Sequence, residues 1–316
     1  MRKAMAAAVL CLLLSACGGG GDGDASGGLL GRAAGLDESE TLLVIDGREI
    51  PAWQYLYWLA EDCRQLEERC EAAGTAPDWS APAEENGTLA ELVKADALAD
   101  TVLYAVVDSW AEVYDCTLTE EELGNLPKRS YAGLTEAQSL CLAETGRKYA
   151  KLYALYETPG SPLAPAEGEL ALFQETAGPL AAEQIPVPAG SGREAARQQA
   201  EALFARLNAA EDQAAAFETL MEETDGGLLS GEGLSDDLRA AANALKPGEI
   251  SGILETAEGF SILRRLPTEE SVLREAYFDS LLQDAAAAAE IQCTNAYFSL
   301  QSEAFWSAFK ATESIT

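Results

Sequence analysis

The chain has 316 residues, no histidine, and a formal charge of -32 from 21 Lys and Arg against 53 Asp and Glu. Without histidine there is no Ser-His-Asp or Cys-His nucleophile, no histidine-ligated zinc and no near-neutral proton shuttle of the usual kind. The negative field argues against nucleic acid and against a polybasic membrane surface, and the length suits two modest domains with their own cores.

The first residues, MRKAMAAAVLCLLLSACGGGG, set Arg2 and Lys3 before an apolar run from Ala4 to Leu14 and a small-residue site ending at Cys17. That order predicts a secretory signal peptide over 1–16, and the run is too short to span a bilayer as a mature helix. LSAC resembles the bacterial lipobox, which implies lipid on the thiol of Cys17 and attachment at the extracytoplasmic face of the cell membrane. The glycine-rich stretch from Gly18 to Gly35 predicts a flexible tether, so 17–40 reads as a lipidated linker.

From Thr41, TLLVIDGREIP alternates and turns at Asp46-Gly47, a short strand with a tight turn. The next segment spaces Trp53, Leu56, Tyr57, Ala60 and Cys63 as one face of a helix that stops at Gly74. After a loop with two prolines, TLAELVKADALADTVLYAVVDSWAEVYD predicts one long helix. Thr119 with Glu122 and Thr135 with Gln138 read as capping boxes, so helices begin near both. The second runs to about Tyr156 with Leu140, Tyr149, Leu152 and Tyr153 inward. Prolines at 159, 162 and 165 then break the chain and predict a domain boundary. Aromatics of the helical segments (Trp53, Tyr57, Trp58, Trp110, Tyr153, Trp306) read mainly as core, with a client groove as the alternative. EETD and TEEE lack calcium-loop spacing and read as solvated faces, so no metal site is expected.

A short helix from about Ala166 to Glu175 leads across the boundary. Leu180 to Pro188 reads as a strand, Arg193 to Asn208 as a helix, and Gln213 to Glu222 as a shorter helix with Phe217, Leu220 and Met221 inward. DGGLLSGEGLSDDLRAAANALKPGE reads as loop, short helix and turn, and ISGILETAEGFSILRRL as two strands about a Glu258-Gly259 hairpin. A helix follows from Glu269 to about Glu290, then a strand and a final helix. The strand and helix opening the mature chain look like partners for those that close it.

After Cys17 the thiols are Cys63, Cys70, Cys116, Cys141 and Cys293, an odd set that cannot all pair within one molecule. Cys63 and Cys70 lie roughly 10 Å apart on one straight helix, too far for a bridge. Free thiols are the expected state, with a bridge from Cys63 or Cys70 to Cys116 or Cys141 as the open alternative.

The motifs DGG at 225–227, ALKPGEIS at 244–251 and ETAEGFSIL at 255–263 resemble those of parvulin-type peptidyl-prolyl isomerases. With the lipobox, tether, VIDGREIPAWQYLYWL and helical flanks, the whole resembles the PrsA/SurA group of extracytoplasmic foldases. The resemblance implies an α+β fold: a mainly helical N- and C-terminal chaperone-like module with an inserted parvulin-like domain of antiparallel sheet and flanking helices. Its segments are 41–165, the inserted 178–267, and a C-terminal 268–316 packing on the N-terminal module. It implies rotation about X-Pro bonds, unfolded or proline-containing exported polypeptides as partners, and no cofactor. In the family an apolar pocket holds the proline ring and a polar network of two histidines with a cysteine or aspartate surrounds the carbonyl.

Carried over, the family's Met-x-x-x-Phe pair falls on Leu234 and Leu238, with Phe260 beside them as substrate-binding residues. The histidine positions fall on Gln184 in AEQIPV and Ser261 in GFSIL, and Asp225 is nearest to the cysteine or aspartate position. The catalytic set is therefore degenerate, although Gln184 and Ser261 still donate and accept hydrogen bonds. Two functions stay open: a lipid-anchored foldase or chaperone, and a non-catalytic lipoprotein whose domain docks a partner. Solute binding lacks the βαβ alternation it would need.

Overall fold

The computed structural model describes residues 28–83, 87–190, 192–230 and 234–313. The expected signal peptide and Cys17 lie outside the described residues. No described helix is long and apolar enough to cross a membrane. The chain divides into two compact units, one spanning Pro165–Ser280 and the other combining residues up to Ala164 with those from Leu281 onward. The architecture is α+β with helical flanks.

The helical unit begins with α1 (Leu29–Ala34), closed by Gly35 in the left-handed region at φ 67°. Here the tether expected through residue 40 gives way to packed structure. Leu30 is fully buried, and the Glu38 carboxylate accepts hydrogen bonds from Gly31 N at 2.8 Å and Gln138 Nε2 at 3.0 Å. Leu30, beside half-buried Leu29, supplies a buried anchor that glycine content alone conceals. Strands β1 (Thr41–Ile45) and β2 (Arg48–Pro51) pair antiparallel about Asp46 and Gly47, both at positive φ, the turn whose twist suits a hairpin. Helix α2 (Ala52–Ala72) buries Tyr55, Leu56, Leu59 and Cys63 and stops before Gly74. Helix α3 (Leu89–Val113) packs on α2, and its start is fixed by a capping box of Thr88 and Glu91.

Both capping boxes read from the sequence form, at the starts of α4 (Glu120–Gly124) and α5 (Glu136–Tyr156). The inward face of α5 carries Leu142, Thr145, Leu152 and Tyr156, while Leu140, Tyr149 and Tyr153 are only half-buried. Thr145 Oγ1 and Lys148 Nζ each donate to Asp108 at 3.0 Å, joining α5 to α3.

In the second unit, α6 (Glu169–Thr176) precedes β3 (Ala181–Pro188), α7 (Arg193–Ala209) and α8 (Gln213–Glu223). Then come β4 (Gly227–Ser230), α9 (Asp236–Asn243), β5 (Leu254–Glu255) and β6 (Gly259–Arg265). The four strands form an antiparallel sheet in the order β4-β3-β6-β5. Strand β4 falls in a stretch expected to be loop, because four residues of GLLS show no alternation.

Helix α10 (Glu270–Ala288) leads back to the first unit, where β7 (Ile291–Cys293), α11 (Asn295–Ser299) and α12 (Ser302–Glu313) complete it. Strand β7 pairs antiparallel with β1, so the ends of the chain share one sheet of order β2-β1-β7. Helix α12 packs on α1, α2 and α3, burying Phe305, Trp306 and Phe309. Lys94 Nζ donates to the carbonyls of Tyr297 at 2.7 Å and Leu300 at 3.0 Å, and Ser302 Oγ donates to Ala90 O at 2.8 Å. Among the described residues Cys63, Cys70, Cys116 and Cys141 are free thiols; Cys63, Cys116 and Cys293 are buried and Cys141 is exposed.

Candidate active site

Successive residues of a strand point to opposite faces, and this alternation sorts the candidate residues. On one face of the sheet Ile185, Val187, Phe260 and Ile262 pack with Ala196, Ala200 and Leu203 of α7 and Phe217 and Leu220 of α8. On the other, Ala182 and Leu263 pack with Leu180, Leu234, Leu238 and Ala242, the last two on α9. Across β3 and β6, Gln184 stands opposite Leu263 and Pro186 opposite Ser261, so Gln184 and Ser261 belong to the α9 face. They are diagonal neighbours. Gln184 Nε2 donates to Ser261 Oγ at 2.6 Å.

Ser261 is buried and Gln184 half-buried, so this contact is only partly open to competition from water. Leu254 of β5 stands opposite Ser261 on its other side and packs with the same apolar cluster. The pair thus abuts an apolar floor that includes Leu234, 4% exposed, and Leu238, 7% exposed. Next to it, the Ser251 hydroxyl accepts from Leu263 N at 2.8 Å and donates to Gly252 O at 2.6 Å, tying the segment before β5 to β6.

Four of the six expected residues therefore share one face: Gln184, Ser261, Leu234 and Leu238. Phe260 does not. As the neighbour of Ser261 along β6 it must point the other way, and it lies under Arg193 and Arg197 of α7, whose guanidinium carbons are 5.8 and 5.4 Å from the ring centroid. Asp225 also stands apart. It is exposed, in the left-handed region at φ 51°, in the turn between α8 and β4, and makes no hydrogen bond with Gln184 or Ser261. Its place there follows from Gly226: a Cβ on that residue would sit 2.2 Å from Gln184 O, so the chain needs glycine to cross β3. Gly259 is required likewise, at φ 152° and with a Cβ position 2.2 Å from Val187 O.

Sequence reasoning missed Pro186, Leu254 and Leu263 as members of the face. The period-two pattern held the signal, since each follows from the partner of Gln184 or Ser261. Two buried cations flank the sheet. Arg264, on the α7/α8 face, donates to Glu183 at 2.6 Å, Glu218 at 3.2 Å and Ala214 O at 3.1 Å. Arg265, beyond Leu263 on the α9 face, donates to the carbonyls of Asn243 and Leu245 at the end of α9. A cavity of about 280 Å³ lined by Phe204, Leu207, Ile250 and their neighbours contains none of the candidate residues.

Residues 182–266, which hold Gln184, Ser261, Leu234 and Leu238, match the rotamase family in the form of its PPIC-type PPIase domain. The domain is a parvulin-type peptidyl-prolyl isomerase domain. Solved structures similar to the chain include the PrsA peptidylprolyl isomerases of Bacillus anthracis and Bacillus cereus. The first is 13% identical, covering 68% of this chain and 97% of that chain, with a TM-score of 0.27. The second is 12% identical, covering 89% and 93%, with a TM-score of 0.25. The foldase protein PrsA of Lactococcus lactis is 16% identical, covering 79% and 86%, with a TM-score of 0.24. No curated protein matches the chain. Within the parvulin domain the polar pair is wholly neutral, an amide and a hydroxyl, and the chain has no histidine to replace either.

Proposed function

We propose that the protein is a lipid-anchored extracytoplasmic foldase of the parvulin type, which holds proline-containing segments of exported polypeptides at the Gln184–Ser261 face and rotates their X-Pro bonds weakly. The observation that carries this reading is the 2.6 Å Gln184–Ser261 hydrogen bond beside the Leu234/Leu238 cluster, inside the residues that match the family. Isomerisation breaks no bond. It needs only that the amide, with a barrier of ~18–20 kcal/mol, be favoured in its twisted state. Leu234, Leu238 and Ser261 are buried in the free chain, so the cluster must open on binding to receive the pyrrolidine ring. Ser261 Oγ, already accepting from Gln184, then has its own O–H to donate to a substrate carbonyl. Neither group titrates near neutrality, so activity is independent of pH between 5 and 8.

The reading includes export by the segment 1–16 and attachment through Cys17, supported by the order of cations, apolar run and LSAC. The burial of Leu234 and Leu238 favours a second reading, in which the domain docks a fixed partner and does not turn over substrate. A proline-limited refolding assay with the mature chain, beside the Gln184→His/Ser261→His variant, separates the two. Weak acceleration by the native chain and a gain in the variant support the foldase. No acceleration by either chain overturns it in favour of docking.

A further inference from the structure

The two buried arginines of the parvulin domain differ in what holds them. Arg264 and Arg265 are neighbours on β6, each 7% exposed, and the alternation of the strand sends them to opposite faces of the sheet. Arg264, on the α7/α8 face, pairs with Glu183 and Glu218. Arg265, on the α9 face, takes part in none of the ion pairs among the described residues. Its Nη1 donates to Asn243 O at 3.3 Å and Leu245 O at 2.7 Å, at the end of α9, and its Nε is shut from water without a partner. A buried charge is ordinarily paired and a buried donor ordinarily bonded. Held on the helix end through Nη1, this guanidinium keeps its Nε edge in reserve, an edge whose planar fork suits a carboxylate gripped by two parallel bonds.

Arg265 shares its face with the candidate site. It stands opposite Ala182 of β3, and Leu263, the partner of Gln184, is the next residue on that face toward Ser261. Ala182 and Leu263 belong to the cluster of Leu234 and Leu238. Ser261 and Arg265 are four residues apart on β6, about 13 Å at roughly 3.3 Å per residue, which an extended chain also spans in about four residues. A segment lying along β6 with its proline ring beside Ser261 therefore brings the side chain about four residues away to Arg265. The opening that admits the ring to the cluster gives access to the Nε edge as well, since both are closed off on the same side of the sheet.

We propose that Arg265 is a specificity-determining residue of this site, selecting proline-containing segments that carry an aspartate or glutamate about four residues from the proline. The assignment of Arg265 rests on the proline-binding reading of the Gln184–Ser261 face and names the class of segment that the face accepts. The carboxylate takes the Nε edge while Nη1 stays on the carbonyls of Asn243 and Leu245, so the pair forms without loss of an existing bond. The net charge of the chain repels acidic segments at long range, so the selection is a contact effect and not one of the overall field.

The test uses the full-length chain at about 0.15 M salt, where a Debye length of about 8 Å screens that repulsion. Fluorescent peptides carry one proline and a glutamate four residues before or after it, each compared by anisotropy with its glutamine counterpart. One glutamate peptide is expected to bind at least about tenfold more tightly than its counterpart, the effect of one charge-assisted pair. Arg265→Gln is expected to remove that margin without weakening the glutamine peptide, and Arg265→Lys, which keeps the charge but not the fork, to retain a smaller one. Circular dichroism checks the fold of each variant, and Arg265→Lys carries the comparison should Arg265→Gln not fold. Arg193→Gln with Arg197→Gln, on the opposite face, is expected to leave the margin intact. Equal binding of glutamate and glutamine peptides by the native chain overturns the proposal and leaves the proline-binding reading standing. A margin that survives Arg265→Gln, or that disappears in the Arg193 and Arg197 variant, also overturns it. Binding of no peptide at all overturns the proline-binding reading and the proposal with it.

Discussion

Removing the Ser261 hydroxyl tests whether the neutral pair is a unit. In Ser261→Ala the Gln184 amide loses the acceptor it holds at 2.6 Å, at a site where Ser261 is only 2% exposed. Leaving one buried partner unpaired costs about 1–3 kcal/mol, and because Gln184 is half-buried the expected loss is at the low end, about 1 kcal/mol. Gln184→Leu alone should cost a similar amount. The double variant Gln184→Leu/Ser261→Ala leaves no orphan, so its loss should fall below the sum of the singles by about 1 kcal/mol. All five tryptophans (53, 58, 79, 110 and 306) lie outside Pro165–Ser280, which allows a clean readout. In urea, far-ultraviolet circular dichroism should show the parvulin domain melting earlier in the single variants, while the tryptophan fluorescence transition stays in place. Strict additivity of the two substitutions would refute the coupling and with it the idea that the pair acts as one polar element.

Glu183→Gln should destabilise the parvulin domain by about 3 kcal/mol, seen by circular dichroism, because it leaves the buried Arg264 guanidinium without its closest carboxylate. Gly259→Ala should cost about 2 kcal/mol in the same assay, since φ 152° and the Val187 carbonyl both oppose a Cβ. The helical unit should lose stability as pH rises. The folded Asp62 carboxyl, raised from 3.8 to about 7, keeps a proton that the unfolded chain releases. Its contribution is therefore full below the unfolded value and is lost as pH climbs through about 7. Urea midpoints followed by tryptophan fluorescence should fall between pH 5 and 8 in the native chain, and less so in Asp62→Asn.

Much of this fold was legible because its signals are local. The capping boxes at Thr119 and Thr135, the Asp46-Gly47 turn and the stop at Gly74 each involve residues within a turn of one another, and each forms. Strand β4 was hidden because its four residues take their conformation from β3, a partner roughly 40 residues earlier. The α1 segment was hidden because its leucines sit in a glycine-rich run and are held by α12 from the far end of the chain. Of the candidate site, Gln184 and Ser261 are placed by their motifs and do meet, while Phe260, expected with Leu234 and Leu238, lies under Arg193 and Arg197 instead. Adjacent strand residues cannot share a face, so Phe260 and Ser261 were never both available to one cleft. Asp225 failed differently: the turn at Gly226 fixes the backbone there, and the side chain is left in solvent.

The pairing of β1 with β7 also sets a timetable for synthesis. Strand β1 leaves the ribosome roughly 250 residues before its partner β7, an interval of about 12–50 s at ordinary elongation rates. The parvulin domain has every strand it needs by Arg265 and can close during that interval, whereas one edge of β1 and the faces that receive α12 stay uncovered until translation is nearly complete. The two units therefore mature in the reverse order of their first appearance. The segment that emerges early is the one exposed longest to misassociation, and a pause in translation anywhere between β1 and Ile291 would lengthen that exposure by its own duration.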